Sequence, residues 1–149
     1  MFTVDTLRAA DYYEWFSCGK SVGQQLGCHQ STICRKWHEV KALEDLQISS
    51  ACGDLLSMER RLHQCWRFSK ALDLRVHLYR WSHQLFSAGL PPGWVSNPAP
   101  LALTRRSPLE LLEARILDAA CLPAPLLDQV TAERFTVIPL YSSPLFLLA

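Results

Sequence analysis

At 149 residues the chain is long enough for one ordinary domain or two small ones. Hydrophobic residues at 49% against 19% charged supply a core, which excludes wholesale disorder. Fifteen basic and fourteen acidic side chains leave a formal charge of +1, so no chain-wide positive field draws in nucleic acid. The charge is uneven, however. Residues 49–83 hold six cations (Arg60, Arg61, Arg67, Lys70, Arg75, Arg80) and three acids (Asp54, Glu59, Asp73), whereas the first 48 residues are about balanced.

In chain order, Asp5 or Thr6 is positioned to cap a first helix whose apolar face is Leu7, Ala10, Tyr13, Trp15 and Phe16. That helix is expected to stop near Ser17-Cys18-Gly19. Ser21, with Gln24 three residues on, reads as the N-cap of a second helix, and Val22 and Leu26 point inward. Gly27 follows where a left-handed backbone is needed. A third helix opens at His29 or Gln30. Its Ile33, Trp37 and Val40 face the core at three- and four-residue steps, while Gln30, Ser31, Thr32, Arg35 and Lys36 face out.

Helix, glycine turn, then a helix that opens on small polar side chains and continues to two cations is the layout of a helix-turn-helix. Its second helix enters the DNA major groove and reads base edges from its N-terminal residues. Gln pairs bidentately with adenine and Arg with guanine, so Gln30, Ser31, Thr32 and Arg35 are the candidate base readers. Lys36 and Ser21 are candidates for phosphate contact, which sets position without reading sequence. His29 either reaches the DNA or caps the helix. The bland alternative for the whole set is an ordinary solvated helix face.

The span 46–52 reads as a reduced wing. From Gly53 to about Ala71 a long helix carries Leu55, Met58 or Glu59, Leu62, Cys65 or Trp66, Ser69 and Leu72 near a 3.5-residue repeat. That seam suits pairing with a second copy. Arg60 and Arg61 are expected to be solvated. At Asp73 the pattern changes. Leu74–Leu78 alternates like a strand, Trp81–Ala88 reads as a short helix, and Pro98–Leu103 as a second strand. Ser107 caps a helix with Pro108 at its first position and Leu109, Leu112 and Ile116 inside. Leu117–Cys121 reads as a third short apolar segment, Leu126–Ala132 as a helical turn, and Phe135–Tyr141 alternates again. Strands alternating with helices imply a mainly parallel sheet.

The fold class read from this order is α plus α/β. An N-terminal winged helix-turn-helix (1–52) leads through a linker and dimerisation helix (53–72) to a small α/β lobe (73–149). Loops after parallel strands hold ligands in open α/β sheets. Trp81 and Ser82 after the first strand, and Thr104, Arg105 and Ser107 after the second, are therefore candidates for a small anionic effector. Capping plus surface charge is the plain alternative.

Six cysteines occupy 18, 28, 34, 52, 65 and 121. The spacing of Cys28, Cys34 and His38 matches no paired zinc-ligand pattern, so these read as ordinary thiols and no metal or cofactor is expected. The opening residues show no signal-peptide pattern, and no run of eighteen apolar residues occurs. A cytoplasmic protein with reduced thiols and no membrane span is expected. No nucleophile–base motif or Gly-rich phosphate loop suggests an enzyme.

Taken together, the order of elements resembles the LysR-type transcriptional regulators. Leu26-Gly27-Cys28-His29-Gln30-Ser31-Thr32-Ile33-Cys34-Arg35 is similar to that family's turn and recognition helix. Gly53-Asp54-Leu55-Leu56 sits where its linker helix begins. Ser107–Glu113 resembles the helix after the effector domain's second strand, Ile116–Ala120 the third strand, and Ile138–Ala149 the strand leading toward the second lobe. The resemblance implies a dimeric regulator that binds double-stranded DNA. The chain departs from the pattern in a shorter link between its first helices, a cut-back wing, and a stop where the second lobe would begin. An interaction module that kept this fold and lost DNA binding is the alternative, on the near-neutral charge and the five tryptophans.

Overall fold

The computed structural model describes residues 3–48, 55–70, 73–79, 93–97, 106–127, 130 and 134–140. Helix α1 (Val4–Phe16) is capped by Thr3, whose hydroxyl accepts the Thr6 amide, and not by Asp5 or Thr6. Asp5 instead lies in the first turn, where its charge complements the helix dipole. Ser17 ends α1 in the left-handed conformation at φ 54°, so the expected glycine stop is not needed. Gly19 opens α2 (Gly19–Leu26). A Cβ there would stand 3.1 Å from Gln30 Cγ and 3.3 Å from Cys34 Sγ, so Gly19 lets α2 approach the next helix closely. The N-cap of α2 is Cys18. Ser21 lies inside the first turn, and the expected capping box with Gln24 does not form.

The turn after α2 depends on two glycines. Gly27 takes φ 64° as expected, and its amide donates to the Gly23 carbonyl. Gly23 is the tighter position: an added Cβ would sit 2.6 Å from the Cys28 carbonyl oxygen. A helical Gly→Ala change ordinarily stabilises by about 1 kcal/mol. Here the clash is with backbone, and overpacking costs roughly 1–3 kcal/mol. Gly23→Ala is therefore expected to lose about 1 kcal/mol net in urea denaturation; a gain in stability would contradict this geometry.

Helix α3 (Gln30–Ile48) runs on through the first residues of the span read as a wing, and residues 49–52 lie outside the described part. Ile33 and Val40 are fully buried, and half-buried Trp37 packs beside Val40. Helix α4 (Leu55–Lys70) buries Leu56, Arg60, His63 and Arg67. Leu55, Met58, Leu62 and Trp66, the seam read from the sequence, lie on its exposed side.

Strands β1 (Leu74–Leu78), β2 (Trp94–Asn97) and β3 (Ala119–Cys121) form a parallel sheet in the order β2-β1-β3. Leu74 is in register with Trp94, His77 with Asn97 and Ala120, and Leu78 with Cys121. Every residue of central β1 is buried, so its alternation separates two covered faces rather than core from solvent. β2 lies ahead of the strand expected at 98–103, a span outside the described residues, as is the helix expected at 81–88. Helix α5 (Pro108–Glu113) starts on a complete capping box between Ser107 and Glu110. It buries Leu111 rather than Leu109 and Leu112, because it ends before Ile116, which is buried beyond it. Short α6 (Ala124–Leu127) follows β3. Residues 135–140 form no strand despite their alternation, and 136–140 are exposed.

The fold is thus mixed: helices together with a small parallel three-stranded sheet. One core cluster takes Ala9, Tyr12 and Trp15 from α1, Val22 from α2, Ile33 from α3, and Leu111, Ile116 and Leu117 from the α5–β3 region. Helix α1 is common to both halves of the chain. The boundaries expected at 52/53 and 71–73 fall at or beside residues outside the described part.

Candidate nucleic-acid interface

The N-terminus of α3 is built by His29. Its Nδ1 accepts the Ser31 amide at 3.3 Å and lies 2.8 Å from the Ser31 hydroxyl, while its carbonyl accepts the Thr32 amide. His29 is therefore a cap, with Nδ1 acting as an acceptor. Beyond it, Gln30, Ser31 and Arg35 are exposed, and Thr32, Lys36 and, on α2, Ser21 are half-buried. All seven predicted residues lie in the described part, six of them on α3 or its cap. Behind that face, Trp37 stacks on Tyr13 with centroids 4.9 Å apart. The exposed thiol of Cys18, beside Ser21, is pushed down from its ordinary value by hydrogen bonding to Ser21.

From residue 15 to residue 38 the sequence holds Lys20, Arg35 and Lys36 and no acid. Five acids, Asp11, Glu14, Glu44, Asp73 and Asp118, are turned inward. Asp11 accepts from Arg60 Nε at 3.0 Å and from Arg75 Nη1 at 2.9 Å, and all three side chains are 5% exposed or less. Glu14 takes Arg60 at 2.9 Å and Arg106 at 2.7 Å, and Glu44 takes a third nitrogen of Arg60 at 2.9 Å. Asp118 takes Arg67 at 2.8 Å and the Arg75 amide at 2.8 Å. Asp73 accepts from the Tyr12 hydroxyl and pairs with Arg8 and Arg75.

Burial by itself would lower Arg60 and Arg75, but the carboxylates around each hold them above the ordinary arginine value. Arg67 is lowered, by burial and then by Arg75. Burial and Asp73 push the Tyr12 hydroxyl up.

This network was not anticipated, and Arg60 corrects the expectation of a solvated side chain. A signal for it does exist. Arg60, His63 and Arg67 recur at the helical period of Leu56, and Asp11 and Glu14 stand three apart on α1. Arg61 is exposed, as expected.

Of the candidate effector residues, Trp81, Ser82, Thr104 and Arg105 lie outside the described residues. Ser107 is a helix cap: its hydroxyl accepts the Glu110 amide at 3.2 Å, and its own amide donates to the Glu110 carboxylate at 2.7 Å. Adjacent Arg106 is held by Glu14. Among the described residues no helix is long and apolar enough to cross a membrane. No protein-family model, curated protein or solved structure matches the chain.

Proposed function

We propose that this protein is a sequence-specific, double-stranded-DNA-binding transcription regulator of LysR-like organisation. In this reading α2, the Gly27 turn and α3 form a helix-turn-helix, and α3 from Gln30 to Glu44 lies in the major groove. Gln30, Ser31, Thr32 and Arg35 read base edges, while Ser21, His29 and Lys36 flank them at the backbone. The observation that carries the reading is the acid-free run 15–38, with Gln30, Ser31 and Arg35 exposed on it. A chain of net charge +1 can still offer a locally positive face because Lys20, Arg35 and Lys36 stand together in a run without acids. Two copies pair through the 53–72 helix, and the protein works in the cytoplasm. A small anionic effector binds near Trp81, Ser82, Thr104, Arg105 and Ser107.

Fluorescence anisotropy against duplex pools tests this directly. Wild type is expected to select a sequence with salt-dependent affinity. Arg35→Ala is expected to weaken selected-site binding by roughly 5- to 100-fold, the worth of one bidentate base contact. Unchanged binding by Arg35→Ala would remove the recognition-helix assignment.

The exposed stripe Leu55, Met58, Leu62 and Trp66 on α4 favours a second reading, an interaction module without DNA binding. Self-association in sedimentation experiments with no salt-dependent DNA affinity would select it.

A further inference from the structure

A cavity of about 370 Å³ opens between the first turns of α1, helix α4 and the starting ends of β1 and β2. Its lining includes none of the residues assigned to DNA contact or to the effector. Two indoles line it, Trp66 from α4 and Trp94 from β2, 48% and 38% exposed. Two large aromatic faces left to water in one concavity form a ready stacking surface. Trp66 is held in place beforehand, since buried His63 stacks on it at 5.8 Å with the rings 16° from parallel.

The polar groups of the cavity are also informative. Asp73 is fully engaged, by Tyr12, Arg8 and Arg75. Arg8 meets Asp73 through Nε at 3.2 Å, which leaves its two terminal amino groups as donors. Asp5, three residues before Arg8 on α1, has no ion-pair partner among the described residues and offers an acceptor. A donor and an acceptor one helical turn apart, beside two stacking faces, match a ring whose edge carries both an acceptor and an N–H donor. The carboxylates of Asp5 and Asp73 oppose an added negative charge.

We infer that this cavity binds a flat, uncharged nitrogen heterocycle of nucleobase size, stacked on Trp66 and Trp94 and hydrogen-bonded to Asp5 and Arg8. The volume lies at the lower end of the range for small-ligand sites, roughly 300–1,000 Å³.

The probe is adenosine, with AMP as its charged counterpart, read by ligand-observed saturation-transfer NMR on the full chain. Adenosine is expected to give a saturable signal on the ring protons, and AMP a weaker one. Stacking is worth about 1–3 kcal/mol per base, so Trp66→Ala and Trp94→Ala should each weaken binding about tenfold. Both positions are partly exposed, so both variants should fold, with circular dichroism melts as the check. Asp5→Asn should weaken binding severalfold, and Ser57→Ala, elsewhere on α4 and off its apolar seam, should leave it unchanged. The inference is wrong if adenosine gives no saturable signal, if both tryptophan variants bind like wild type, or if AMP binds more tightly than adenosine. None of these results bears on Arg35 or on duplex DNA.

Discussion

Asp11→Ala is expected to destabilise the protein by about 3–5 kcal/mol, enough to unfold much of the population. Asp11 is completely buried and joins Arg60 from α4 to Arg75 from β1, one arginine on each carboxylate oxygen. Removing it leaves two buried guanidinium groups facing one another with fewer counter-charges. Glu14 and Glu44 still hold Arg60, and Asp73 still reaches Arg75 at 3.5 Å, which sets the upper limit of the loss. Urea denaturation gives the measurement. Asp11→Asn keeps the shape but removes the charge and one of the two acceptor oxygens, and serves if the alanine variant is too unstable to purify. Arg8→Ala is the control: its pair with Asp73 is 43% exposed on the arginine side and should contribute at most about 1 kcal/mol. Equal losses from Asp11→Ala and Arg8→Ala would show that the buried network is not what joins the helices to the sheet.

Acid is expected to act through two histidines before it reaches the carboxylates. Burial pushes His77 down to about 4, and neither ring nitrogen has a hydrogen-bond partner among the described residues. Burial, then the charges of Arg75 and Arg67, push His63 down to about 4 as well. In the unfolded chain both titrate near 6.5. Between these values the unfolded state binds protons that the native state refuses, so stability is fully present above pH 6.5 and falls toward pH 4. Each unit of separation is worth about 1.4 kcal/mol per group, so a combined loss of about 5 kcal/mol is expected between pH 7 and pH 4.5. Thermal melts across that range should show it, and His77→Leu should remove about half the slope. An unchanged slope in His77→Leu would mean that the acid sensitivity has another source.

The sequence was informative wherever one local rule acted alone. Gly27 needed φ > 0 and has it, Ser107-Pro108 announced a capped helix, and Ile33 and Val40 followed the helical period into the core. Reading failed where packing overrode a local rule. Gly19 looked like a stop and serves close helix approach, while Ser21 looked like a cap and sits three positions beyond the actual cap, Cys18. Phe135–Leu140 alternates like a strand, but alternation supplies no ladder partner. Arg60, Arg67 and Arg75 show the widest gap between sequence and structure. Charge read along the chain places such residues in water, and their burial depends on carboxylates up to 64 positions away.

The placement of α1 constrains any attempt to shorten the protein. Trp15 and Tyr12 are sealed by residues from both ends of the chain, and the Asn97 side chain donates to the Trp15 carbonyl across 82 positions. A fragment cut after residue 48 would bare this aromatic surface and strand the carboxylate of Asp11. The smallest autonomous piece that keeps this core closed must therefore extend at least through Asp118, so helices α1–α3 cannot be cut out as a detachable head.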